Sequence, residues 1–148
     1  MVSVQAEDFD AAAELEALGA GLGVGAVATF TGLCRDEGGA LSALELECYP
    51  AMAQAEIGRV AAAAQARWPL LGVRVIHRYG LMAPGSRIVF VAAASAHRAP
   101  AFEAAEFLMD YLKTRAPFWK KQHFADGAAS AWVDAREEDD AAAARWSV

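Results

Sequence analysis

A chain of 148 residues with 56% hydrophobic and 22% charged residues can bury a real core, which excludes a disordered polymer. Its net charge of −6 argues against a broad nucleic-acid-binding face, and no apolar run reaches the roughly 20 residues of a membrane span. Two cysteines, Cys34 and Cys48, are too few for a disulfide scaffold and lack metal-ligand spacing, so no metal and a reducing cytoplasm are expected.

The N-terminus has neither a basic start nor an apolar stretch, so no signal peptide is expected. Residues 8 to 20 predict a first helix, capped by Asp8 or Asp10 and ended by Gly19, Gly21 and Gly23. Val24 to Cys34 is rich in β-branched and aromatic residues and predicts a strand, followed by the polar loop Arg35-Asp-Glu-Gly-Gly. From Leu41 to Tyr49, Leu44, Leu46 and Cys48 alternate with Glu45 and Glu47, the pattern of a half-buried strand. Pro50 closes it. Ala51 to Trp68 predicts a helix with Met52, Ile57, Val60 and Ala64 on its buried side. Two strands follow, Val73 to Tyr79 and Arg87 to Ser95, joined by the turn-forming Leu81-Met-Ala-Pro-Gly-Ser.

A further helix begins near His97 to Ala99, tolerating Pro100 in its first turn, and runs to about Thr114. Pro117 biases Ala116 to an extended conformation and stops the helix. Phe118 to Phe124 and Ser130 to Ala135 predict paired strands around Asp126-Gly, and Arg136 to Trp146 a terminal helix with an acidic first turn. The order αββαββαββα indicates an α+β fold with mostly antiparallel pairing, without repeat or linker, as a single domain over residues 1–148.

All three lysines, Lys113, Lys120 and Lys121, lie within nine residues, and with Arg115 they form a cationic island in an acidic protein. Lys113 at a helix C-terminus is favoured by the dipole whatever else it does. Lys120 and Lys121 point to opposite faces of their strand, Lys120 with Phe118, Gln122 and Phe124, Lys121 with Trp119 and His123. Lysines among aromatics fit either a desolvated, chemically active amine or a solvated edge strand guarded against aggregation. Ser95-Ala-His97-Arg98 opens a helix and fits an anion site or a capped start. Arg35 follows a strand and opens a loop, a common place for a ligand-binding residue. Cys34 fits a buried apolar residue better than a thiolate nucleophile. His77, Arg78 and His123 have no identifiable partner and read as structural. No phosphate loop, dinucleotide fingerprint, Ser-His-Asp signature or zinc motif is present.

Three stretches carry a further signal: Gly25-Ala-Val-Ala-Thr-Phe-Thr-Gly-Leu-Cys-Arg35, Ile88 to Arg98 with Phe102-Glu-Ala, and Met109-Asp-Tyr-Leu-Lys-Thr-Arg-Ala-Pro-Phe-Trp-Lys120. With Glu47-Cys-Tyr-Pro-Ala-Met, Val75-Ile-His-Arg-Tyr-Gly and Trp132-Val-Asp-Ala-Arg136, they resemble the large, catalytic subunit of molybdopterin synthase from about residue 24 to Trp146. The loop Asp-Glu-Gly-Gly after Arg35 is shorter and more acidic than is usual in that family.

The resemblance implies an α/β-hammerhead fold and a homodimer within a heterotetramer. The partner is a small ubiquitin-like sulfur carrier whose C-terminal Gly-Gly ends in a thiocarboxylate. The implied reaction converts cyclic pyranopterin monophosphate to molybdopterin, with no cofactor and no metal in the synthase. By position it assigns Lys113 and Lys120 to the catalytic centre, and Arg35, His97 and Arg98 to the substrate pocket. Arg136 would come from the dimer partner, and Lys121 receives no catalytic role. The competing readings are a non-catalytic anion- or nucleotide-binding module and a thiol enzyme built on Cys34.

Overall fold

The computed structural model describes residues 1–133 and 137–146. In chain order the elements are β1 (Val2–Gln5), α1 (Ala11–Leu18), β2 (Ala26–Leu33), β3 (Leu41–Glu47), α2 (Pro50–Arg67) and β4 (Leu70–Arg78). They continue as β5 (Gly80–Met82), β6 (Arg87–Ser95), α3 (Arg98–Arg115), β7 (Trp119–Phe124), β8 (Ala131–Val133) and α4 (Glu137–Ala144). Two four-stranded sheets result, ordered β1-β4-β6-β2 and β5-β3-β7-β8. Every pairing is antiparallel except β1 with β4. The α+β expectation holds. No described helix is long and apolar enough to cross a membrane.

Strand β6 is central to the first sheet because its sequence is apolar on both faces. On one face Val89 and Val91 join Val73 and Val75 of β4 under α2 and α3, through Ile57, Val60, Ala64, Phe107 and Leu108. On the other, Phe90 and Ala92 meet Ile76 and Phe9 beneath α1. The two-residue period of the strands sorts these sets. Small residues decide how close α3 comes: Ala28 on β2 faces Ala101 and Ala105, so no long side chain separates helix from sheet.

Two strands escaped the sequence reading. β1 is only four residues long, and its stability comes from distant groups. The Met1 ammonium donates to the Val73 carbonyl at 2.7 Å, while the Gln54 amide brackets β1 by bonds to the Val2 carbonyl and the Val4 N–H. β5 lies in what reads locally as a turn. Gly80, at φ +101°, takes the left-handed conformation that favours glycine and lets the chain leave β4 for the second sheet, where Leu81 and Met82 pair with Glu45 and Leu44. The first helix is shorter than expected because Asp10 caps it, accepting from the Ala13 N–H at 3.1 Å. Of the terminal strand and helix expected over 130–135 and 136–146, positions 134–136 lie outside the described residues.

Candidate active site

The end of α3 sets the site. Ala116 takes φ −69° and ψ 128° ahead of Pro117, as a residue before proline must, and the chain turns directly into β7. Lys113 on the last helical turn and Lys120 on the strand are thereby folded towards one another. Lys120 pairs with Leu46 of β3 and Val133 of β8 in the second sheet.

Both amines line two adjoining chambers between the sheets, of about 410 and 370 Å³. Arg35, Phe118, Leu44 and Ile88 border both chambers. The larger chamber has an apolar wall of Phe30, Leu46, Met109 and Leu112, and His77 opens on it. The smaller carries carboxylates at Glu37 and Asp139. Arg35 is positioned by its neighbour's backbone: the Cys34 N–H donates to the Ser86 carbonyl at 2.9 Å, and the Cys34 carbonyl accepts from the Gly85 N–H at 2.7 Å. Among the described residues, neither the Arg35 guanidinium nor the Lys113 ammonium is tied up in an intramolecular hydrogen bond or ion pair. Cations held in a partly apolar chamber favour an anionic ligand.

Lys121 points away, as the strand period requires. Its ammonium lies 5.3 Å from the Trp132 ring centroid, and its strand neighbour across the sheet is Glu45. The other face of this sheet also carries His123, bonded to Glu45 and Ser130 at 2.9 Å each.

His97 and Arg98 do not join the chamber within one chain. His97 occupies the N-cap position of α3 without a side-chain capping bond, and both side chains are exposed at the end opposite Lys113. Roughly 22 Å of helix separates Arg98 from Lys113. Arg136 lies outside the described residues. Glu37, in the short acidic loop, sits at φ +54° with its carboxylate held by the Gln122 amide at 3.3 Å.

His77, for which the sequence offered no partner, finds one in the structure. It is 9% exposed, its ring stacks on Phe118 at 3.9 Å and 16°, and its Nδ1 lies 3.0 Å from the Arg78 carbonyl. Burial lowers its pKa to about 4, and the charges of Lys120 and Lys113 add to the effect. The available signal was its place on the inward face of β4, two residues from Val75. A proton on this imidazole is disfavoured by folding, so the unfolded chain binds it more readily between about pH 4 and 6.5. The stability contribution is full above pH 6.5 and is lost as pH falls towards about 4, to a total of about 3 kcal/mol. Urea midpoints between pH 7 and 5 should therefore fall more steeply in the wild type than in His77→Phe. Parallel pH dependences would exclude this role for His77.

Cys34 is 4% exposed, and burial together with the Glu37 charge pushes its thiol pKa up. A thiol kept protonated is a poor nucleophile. Cys34→Ala should keep its turnover within about twofold, since the backbone clamp on Arg35 needs no sulfur. Loss of turnover in a folded Cys34→Ala protein would restore the thiol-enzyme reading.

Among the described residues no group of His, Cys, Asp or Glu is arranged to hold a metal ion. The family model described as MoaE protein matches residues 4–115. The chain is 65% identical over 146 residues to the molybdopterin synthase catalytic subunit of Mesorhizobium japonicum, covering 98% of this chain and 92% of that protein. Among solved structures it is similar to the molybdopterin biosynthesis MoaE protein from Burkholderia ambifaria, with a TM-score of 0.84 and 48% identity over 100% of this chain and 98% of that one. Molybdopterin synthase from Staphylococcus aureus matches with a TM-score of 0.81 and 28% identity over 89% of this chain and 96% of that one.

Proposed function

Because this chain belongs to the MoaE family, we propose that residues 1–148 act as one catalytic unit that takes sulfur from a carrier thiocarboxylate and delivers it to cyclic pyranopterin monophosphate, forming molybdopterin. The observation that carries the reading is the meeting of Arg35, Lys113 and Lys120, from three different elements, on one partly apolar chamber. The apolar wall suits a flat heterocycle, and the cations suit its phosphate and the carrier's terminal carboxylate chemistry. Lys120 acts as the principal acid/base or electrostatic group and Lys113 lies beside the carrier's terminal carbonyl. Negative charge grows during both thiocarboxylate attack and phosphate-ester opening, and ammonium groups already in place stabilise it without reorganisation.

His97 and Arg98 enter this scheme as substrate-phosphate ligands only through a second copy of the chain. A homodimer that lays the start of one α3 near the chamber of its partner supplies them, and Arg136 with them. The small ubiquitin-like carrier, ending in Gly-Gly thiocarboxylate, then completes a heterotetramer in the cytoplasm. The synthase needs no cofactor of its own.

The test is reconstitution. Thiocarboxylated carrier and cyclic pyranopterin monophosphate, mixed with this protein, should yield a dithiolene product. Substrate binding with no product would favour a non-catalytic anion-binding module.

A further inference from the structure

The two adjoining chambers share their cations and differ in their anions. Arg35, Lys113 and Lys120 border both. Among the described residues that line it, the larger chamber has no carboxylate, and its one other titratable side chain, His77, is neutral at physiological pH. The smaller chamber sets Glu37 and Asp139 against the same cations. Its wall also holds the Gln122 amide, which donates to both Glu37 carboxylate oxygens, at 3.3 and 3.4 Å. A doubly charged anion is therefore attracted to the larger chamber and opposed by like charge in the smaller.

Glu37 is held at this place against the preference of its backbone. Glu37, Gly38 and Gly39 follow one another at φ +54°, +71° and +87°, the left-handed region that favours glycine. Among the described residues, Glu37 is the only one with a side chain at positive φ. Asp36 ties the loop beneath it: its carbonyl accepts from the Gly39 and Leu41 N–H groups at 3.2 and 3.0 Å, and its carboxylate from the Gly38 N–H at 3.2 Å. A glutamate kept in a conformation that the next two residues meet with glycine points to a use for its charge. That charge is felt inside the loop, where it adds to burial in raising the Cys34 thiol. Gln122 lies two residues from Lys120 on the same face of β7, so the strand that carries a shared cation also fixes the carboxylate. We propose that Glu37 is a specificity-determining residue that bars multiply charged anions from the smaller chamber, reserving it for a singly charged chain terminus and leaving phosphate esters to the larger one. This deepens the sulfur-transfer reading and rests on it for the identity of the two ligands. Opening a cyclic phosphate to a monoester adds a second negative charge, so the sorting is strongest for the product and keeps it off the carrier's path.

The experiment follows inorganic pyrophosphate by methyl NMR at low salt. Leu46, Met109 and Leu112 report on the larger chamber, and Leu41 and Val133 on the smaller. In the wild type, pyrophosphate should shift the first set alone. Glu37→Gln keeps the length of the side chain and removes its charge, so the second set should shift as well and pyrophosphate should bind about 3- to 10-fold more tightly. Glu37→Gly adopts this φ freely and should show the same gain; it serves alone if Glu37→Gln does not fold. In turnover, pyrophosphate should compete only with the heterocycle in the wild type, and with the carrier as well in Glu37→Gln. Shifts at Leu41 and Val133 in the wild type, or none there in either variant, would overturn the proposal. If the wild type forms no dithiolene while the methyl shifts divide as expected, the sulfur-transfer reading fails and the charge sorting stands.

Discussion

Replacing Lys120 by alanine should lower kcat by about 100- to 1000-fold, or roughly 3–4 kcal/mol of transition-state stabilisation, while KM changes little. The expectation follows from where the amine sits. Its strand is held on both sides, by Leu46 of β3 and Val133 of β8, so the loss of a side chain at position 120 leaves the backbone paired. Arg35 and Lys113 remain on the chamber and keep the substrate's negative charge attracted. On the proposed mechanism, what is removed is a cation placed for charge that appears only during reaction. Lys120→Arg separates two forms of the idea. A guanidinium keeps the field but gives up no proton at any useful pH, so recovery by arginine indicates electrostatic stabilisation and no recovery indicates proton transfer. Unchanged single-turnover rates in Lys120→Ala would remove this residue from the chemistry.

The same variant tests the dimer. A Lys120→Ala chain has an intact His97 and Arg98, and a His97→Ala, Arg98→Ala chain has an intact Lys120. Mixed so that subunits exchange, the two inactive proteins should regain activity, because one chamber in each heterodimer then holds every group. If no activity returns although subunits exchange, then His97 and Arg98 do not act across an interface.

How much of this was legible depended on the range over which each signal acts. The split between Lys120 and Lys121 follows from strand period alone, and Pro117 announces the break that folds Lys113 towards Lys120. These are local. The assignment of strands to two sheets is not local, because it depends on Gly80 releasing the chain from β4 into β5, and a glycine in a turn-like sequence does not announce which sheet comes next. The sequence offered no partner for His77 for the same reason. Nothing within several residues of it reveals Phe118, which stacks on it from 41 positions away. Family resemblance brought His97 and Arg98 into the site, and the helix length then showed that a single chain cannot bring them to Lys113.

The second large effect is expected from Gly25→Ala. A Cβ at this position would lie 2.1 Å from the Ala96 carbonyl oxygen and 3.1 Å from its carbon, while the Gly25 N–H already donates to the Ser95 carbonyl at 3.0 Å. Both obstacles are backbone, so no rotamer change relieves them. Either β2 separates from the end of β6, or the segment carrying His97 and Arg98 moves. The cost should be about 3 kcal/mol, near the upper end for overpacking, measured as a shift in the urea midpoint. Gly72→Ala is the control: there the new Cβ meets the Leu18 Cδ1 at 2.7 Å, the end of a flexible side chain that can turn aside. Its cost should be about 1 kcal/mol, and it lies away from the proposed substrate ligands. The two variants should also differ in kinetics. If His97 and Arg98 bind the substrate phosphate as proposed, their displacement should make Gly25→Ala raise KM more than it lowers kcat, whereas Gly72→Ala should leave both near wild type. Equal midpoints and equal KM values in the two proteins would mean that the approach of Gly25 to Ala96 does not set the position of His97 and Arg98.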